Sequence, residues 1–210
     1  MDGGRLTPTR RRCTGVILAG GAALRMGGVC KGLEQVGGRR IIDRVARALA
    51  GATDALLIAA NDPAADAWLP GVPVVRDTRP GFGALSGIHA ALEHTATDVL
   101  AVAWDMPFVP ESLLRAVRDA GELHEGGMAA AASRSPWGFE PLAAWYAAET
   151  LPRVTTMLDA GDARVGAVGD HATRLAVDVS SWGDPDEIFL SVNTPDDLAR
   201  ARAIATRGPL

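Results

Sequence analysis

Short apolar runs alternate along this chain with segments in which apolar residues recur every three or four positions. Val16–Leu18, Ala55–Ala60, Val72–Val75, Val99–Trp104 and Met128–Ala132 read as short buried strands. The second of these is closed by Asn61-Asp62-Pro63, and the fourth ends at Asp105. Between them, Ile41–Ala50 keeps its apolar residues on one helical face, with Arg44 and Arg47 outside. Gly83–His94 reads as a helix opened by a glycine turn. Pro110–Ala120 reads as another, with Glu111 early in its first turn. Strands alternating with helices of this length predict a parallel α/β sheet.

From about Ser133 the alternation changes. Leu142–Tyr146 is strand-like, Ala147–Ala160 helical and Thr173–Asp178 strand-like again. Pro195–Ala205 closes the chain as a helix, with Thr194 as its N-cap and Pro195 at its first position. There is no internal repeat and no low-complexity linker. The expected organisation is one domain over residues 14–206, preceded by a disordered basic tail over residues 1–13.

The 210 residues suffice for a core without disulfides. Hydrophobic residues make up 48% and charged residues 22%, which places the chain among globular proteins. The formal net charge of −4 argues against a broad nucleic-acid or anionic-membrane surface. No apolar run approaches the ~18–20 residues of a membrane span. Arg10-Arg11-Arg12 is followed by an apolar stretch too short for a signal peptide. Cys13 and Cys30 have neither CxxC nor Cys/His spacing, so neither a disulfide framework nor a zinc site is indicated, which suits a reducing cytoplasm.

The candidate chemistry lies where ligands bind in open parallel sheets, at the carboxyl ends of the strands. Gly20, Gly21, Arg25 and Lys31 follow the first strand, Asn61 the second, Asp77 the third and Asp105 the fourth. Lys31 is the single lysine beside twenty arginines, and it sits in a glycine-rich loop. Such a loop offers main-chain N–H groups to phosphate, and a lysine adds a compact point charge. The loop is neither G-x-G-x-x-G nor Walker A. Two cations, Arg25 and Lys31, suit a triphosphate and a leaving pyrophosphate. Asp105, a lone carboxylate after an apolar strand, suits Mg²⁺. Asn193 stands just before the last helix. Any one of these polar residues alone is ordinary turn chemistry. The four histidines and five tryptophans suggest neither a catalytic triad nor a base-stacking platform.

Leu18-Ala-Gly-Gly, Arg25-Met-Gly-Gly and Lys31-Gly-Leu together resemble the first signature of the molybdenum cofactor guanylyltransferases, the MobA family. The resemblance continues through Val75-Arg-Asp77, Pro80-Gly81, Gly83–Gly87, Asp105-Met-Pro-Phe-Val-Pro110 and Glu140–Tyr146. It ends with Leu158–Val165 and Ser191-Val-Asn193-Thr-Pro-Asp-Asp-Leu, so it spans about Thr14 to Arg202. It implies a Rossmann-like three-layer α/β sandwich with a mostly parallel central sheet. It also implies Mg²⁺ as cofactor, GTP and molybdopterin as substrates, and molybdopterin guanine dinucleotide and pyrophosphate as products.

On this resemblance Arg25 and Lys31 hold the β- and γ-phosphates and Asp105 holds the metal. Leu18, Ala19, Gly20 and Gly21 flank the nucleotide, and Asn61 and Asp77 fix guanosine. Asn193 and Ser191 meet molybdopterin. Transient contact with cofactor-inserting or acceptor proteins accompanies that role. Cys30, Ala59, Ala84 and Ser191 depart from the usual family residues. Two alternatives stay open: a cytidylyl- or other nucleotidyltransferase acting on a related phosphorylated acceptor, and a non-catalytic nucleotide-binding homologue.

Overall fold

The computed structural model describes residues 11–19, 30–123, 128–132, 138–169 and 174–207. The strands are β1 (Cys13–Leu18), β2 (Gln35–Val36), β3 (Arg39–Arg40), β4 (Ala55–Ala59), β5 (Val74–Val75), β6 (Asp98–Ala103), β7 (Met128–Ala132), β8 (Glu140–Tyr146) and β9 (Arg174–Asp178). The helices are α1 (Ile41–Ala52), α2 (Ala84–Thr95), α3 (Glu111–Glu122), α4 (Leu151–Asp159), α5 (Pro185–Ile188) and α6 (Pro195–Thr206).

Seven strands form one sheet in the order β5-β4-β1-β6-β8-β7-β9. The first four of that order run parallel. β8 runs antiparallel to both of its neighbours, and β9 lies parallel to β7. Every residue of β1 and of β6 is buried, as expected for strands covered on both faces. One apolar layer joins α1, α3 and α6 to the sheet, and a second joins α2 and α4 to the opposite face. On α1 the buried residues are Ile41, Ile42, Val45, Leu49 and Ala52, a helical stripe. Fully burying each large aliphatic side chain contributes ~1.5–3 kcal/mol.

The chain passes from β1 outward through β4 to β5. It then returns to the other side of β1 as β6. That reversal opens a crevice at the carboxyl ends of β1 and β6. Gly83 makes the turn into α2 with φ +60° and ψ −136°, a conformation essentially restricted to glycine.

Several expected elements change at their edges. β1 begins at Cys13, before the expected Val16. Of Val72–Val75 only Val74 and Val75 form the strand; the Pro73 carbonyl accepts from Ile58 N at 2.9 Å, but Pro73 has no N–H for the ladder. The expected helix from Ala147 is instead a 3₁₀ turn over Ala148–Thr150, followed by α4. Pro152 explains the break, since its ring would collide with the carbonyl four residues earlier in a continuous α-helix. Thr194 does cap α6, in a capping box with Asp197.

At the end of the sheet opposite the crevice, Arg118 of α3 is almost completely buried. It bonds Asp54 at 2.8 Å, Glu122 at 2.6 Å, the Ala52 carbonyl at 3.0 Å and the Arg11 carbonyl at 2.8 Å. One guanidinium thus ties α1, α3 and the entrance to β1. Arg118→Met should destabilise the protein by about 3 kcal/mol, the low end for breaking a buried charge network, because Asp54 keeps access to water. Chemical denaturation checks this, and an unchanged midpoint would show that the network is dispensable.

Candidate active site

Main-chain bonds extend the sheet into the crevice. Trp104 N donates to Leu18 O at 3.1 Å, and Ala19 N donates to Ala59 O at 2.9 Å. Leu18 and Ala19 therefore sit between the ends of β4 and β6. Gly20, Gly21 and Arg25 lie outside the described residues.

Asp105 follows β6 and is only 8% exposed. Its carboxyl is pushed above the usual range by burial. The Ser191 hydroxyl bond and the nearby Lys31 charge oppose that shift. Val192 N donates to the Asp105 carbonyl at 2.9 Å, which fixes the segment before α6 against the end of β6. Asp105 Oδ1 is buried without a hydrogen-bond partner among the described residues. A buried anionic oxygen lacking a donor is costly in a folded chain and well suited to a hard cation.

Lys31 is 6% exposed, and its Nζ donates to Asn193 Oδ1 at 2.9 Å. Asn193 Nδ2 donates to Ser191 Oγ at 2.8 Å. With the Ser191–Asp105 bond, this makes a polar relay from the lysine to the carboxylate. Lys31 and Asn193, expected on different substrates, are thus direct neighbours. The relay also gives the departure at Ser191 a physical role, because its hydroxyl serves the Asp105 carboxylate and accepts from Asn193.

Asn61 and Asp77 form a second cluster at the ends of β4 and β5. Asn61 Nδ2 donates to Asp77 Oδ2 at 2.7 Å, and Asp77 N donates to Asn61 Oδ1 at 2.9 Å. Burial raises the Asp77 carboxyl, and the Asn61 bond partly offsets that.

Glu140 is a residue that the sequence pattern carried in a motif but did not place in the site. The β6–β8 register pairs Val102 with Ala143. The start of β8 therefore lies toward the end of β6, where the Glu140 carboxyl feels the Asp105 charge. Burial raises the Glu140 carboxyl, and the Asp105 charge raises it further. The available signal was its place at the start of an apolar strand. Its strand partner could not be read from that pattern.

A tryptophan platform sets the position of Lys31. Trp104 stacks on Trp68 with ring centroids 4.9 Å apart and planes 25° apart. Gly32 lies against the Trp104 ring so closely that any Cβ there would overlap it. The cysteines stand apart from this chemistry. Cys13 is buried, with its thiol pushed up to about 12 by desolvation, and Cys30 is free and half-buried.

Residues 15–175 match the family described as the MobA-like NTP transferase domain. A molybdenum cofactor guanylyltransferase from Cereibacter sphaeroides is 40% identical over 207 residues, covering 92% of this chain and 97% of that protein. In fold, the chain is similar to molybdopterin-guanine dinucleotide biosynthesis protein A from Archaeoglobus fulgidus. That comparison has a TM-score of 0.75 and 22% identity, covering 93% of this chain and all of the other. It is also similar to a Mycobacterium tuberculosis protein crystallised with manganese, with a TM-score of 0.66 and 24% identity, covering 93% and 100% of the two chains.

Gly32→Ala should leave the fold intact and weaken nucleoside triphosphate binding by roughly 10-fold, the order of one charge-assisted hydrogen bond broken by displacing Lys31. Calorimetric titration measures the affinity and circular dichroism the fold. Parental affinity in the folded variant would mean that the platform does not set the lysine.

Proposed function

The chain belongs to the MobA-like NTP transferase family, and from that premise we propose that it transfers GMP from GTP to molybdopterin, releasing pyrophosphate. The observation that carries this reading is the relay from Lys31 through Asn193 and Ser191 to Asp105. It gathers a cation and a buried, under-bonded carboxylate at the sheet crevice, as nucleotidyl transfer requires.

In this reaction a phosphate oxygen of molybdopterin attacks the α-phosphorus of GTP. The new P–O bond forms as the bond to the β-phosphate breaks, and pyrophosphate leaves. Such transfers depend on positioning and charge neutralisation rather than on a side-chain nucleophile. Lys31, with Arg25 from the glycine loop, neutralises the charge that builds on the leaving pyrophosphate. Gly20 and Gly21, with the Ala19 carbonyl, present main-chain groups to the nucleotide beside Leu18, whose own carbonyl is held by Trp104 N. Asn61 and Asp77 hold each other, so their remaining polar atoms face guanosine already oriented. Asp105 would hold the metal, Mg²⁺ in our reading, with the Glu140 carboxyl adding negative charge nearby. When bound, the cation would screen the α-phosphate from its anionic attacker. Ser191 orients Asp105, and Asn193 orients Lys31 and meets the molybdopterin side.

No helix among the described residues is long and apolar enough to cross a membrane. We read the two free cysteines as suited to the cytoplasm, where the proposed substrates would be met.

Asp105→Asn separates function from stability. Asn keeps the size of the side chain but loses the charge that a hard cation needs, so kcat should fall by about 10²–10³. Burial raises the Asp105 carboxyl, so the native state at neutral pH bears the cost of an ionised buried group. The metal-free variant should therefore melt at a higher temperature than the metal-free parent, and calorimetry measures that change. Near-parental pyrophosphate release at the parental Mg²⁺ optimum would remove Asp105 from the metal site.

The raised carboxyl also fixes the direction of the pH dependence. As pH falls through it, Asp105 takes up a proton and cation binding is lost, at a higher pH than an ordinary aspartate would show. Ser191→Ala removes a bond that favours the ionised form, so it should move the acid limb of the kcat/KM profile to higher pH. An unmoved limb would mean that Ser191 does not act through Asp105.

A further inference from the structure

Many of the arginines described pair with carboxylates. Nine of those described hold an ion pair. Arg39, Arg44 and Arg47 hold none among the described residues, and all three line one groove of about 370 Å³ between α1 and the segment after Asp105. Arg44 donates through Nε to Val36 O at 2.8 Å and lies over the Phe108 ring, 5.8 Å from its centroid. Glu111, the acid on the groove wall, is already engaged by Nε and the guanidinium nitrogen of Arg115 at 2.9 and 2.7 Å. Three cations therefore gather on a chain of net charge −4 without an ion pair among the described residues. Partial burial and the like charge of Arg39 both disfavour the charged state of Arg44. The arrangement is electrostatically incomplete as it stands.

We propose that this groove docks an acidic segment of a partner protein, whose carboxylates meet Arg39, Arg44 and Arg47. Guanidinium forks match carboxylates bidentately. Arg44 and Arg47 stand three residues apart on α1, about 4.5 Å along its axis, and Arg39 precedes them on β3. That is a row of cations, suited to successive acidic side chains, rather than a cradle converging on one phosphate. Pro107 and Pro110 in the wall supply no N–H, so the main-chain nest of a phosphate site is poorly provided. The groove wall continues directly from Asp105, and β3 and α1 follow the Lys31 turn. A partner seated here lies next to the crevice, within reach of what it receives or releases. This inference does not depend on which nucleotide or acceptor the crevice takes.

The test uses the full chain with saturating GTP and Mg²⁺ and a fluorescent hexaglutamate peptide, read by anisotropy at low salt. The parent should bind the peptide and not a hexaglutamine control, with affinity falling as salt rises. The double variant Arg39→Glu/Arg47→Glu should bind at least about 10-fold more weakly while keeping parental GMP transfer. Both side chains are exposed, and a second double variant, Arg39→Gln/Arg47→Gln, should give an intermediate loss. Equal peptide affinity in the charge-reversed chain would overturn the proposal. So would tighter, Arg39- and Arg47-dependent binding of inorganic pyrophosphate, which would make the groove a small-anion site. Loss of GMP transfer in a folded variant would also overturn it, by making the arginines part of the crevice's own machinery.

Discussion

A carboxylate kept almost out of water organises this molecule. Asp105 stands at the end of a wholly buried strand, and one of its oxygens lacks a donor among the described residues. Ionising such a group costs folding free energy unless opposite charge and hydrogen bonds are brought to it. Much of the surrounding structure meets that requirement. The segment before α6 is bonded to the Asp105 backbone, and Ser191 bonds the carboxylate. Asn193 links Ser191 to Lys31, which supplies the nearby positive charge. What remains unsatisfied is the capacity that a cation and a phosphate would fill.

The two ends of the sheet divide the work. At one end Arg118 is surrounded by acceptors, and its network binds α1, α3 and β1 into one unit. At the other, polar groups are held in place but not exhausted. Asn61 and Asp77 restrain each other, and Lys31 is supported by a glycine laid on a tryptophan stack. Such preorganisation favours catalysis at some cost to stability. His89 illustrates the structural alternative. It sits between Thr78 and Thr155, where it links α2 to α4 and burial disfavours its charged form.

The alternation of apolar runs and amphipathic helices, read without tertiary knowledge, was enough for β1, β4, β6, α1, α2 and α3, because burial on one face or two leaves a periodic trace. Local chemistry was equally legible at Thr194, where capping uses neighbours in the chain. The strand ends also announced Lys31, Asn61, Asp77 and Asp105, since apolar strands closed by polar residues place those residues at one edge of a parallel sheet. The β2–β3 hairpin left only the Gly37-Gly38 pair as its signal, because two-residue strands have no period.

Pairings between distant segments were decided by the tertiary structure alone. The antiparallel direction of β8 is invisible in its composition, because a two-residue period is the same in either direction. For the same reason Glu140 could not be assigned to Asp105 from its motif. The bond from Lys31 to Asn193 spans 162 positions, and the Trp68–Trp104 stack joins two turns with no local relation. Arg44 and Arg47 read as the outer face of α1 until packing brought them with Arg39 to one groove and left them without an ion pair among the described residues. Periodicity and turn chemistry act between neighbours and survive in one dimension. Electrostatic partnership and close packing act through space, so three dimensions were needed to decide which polar residues became a site.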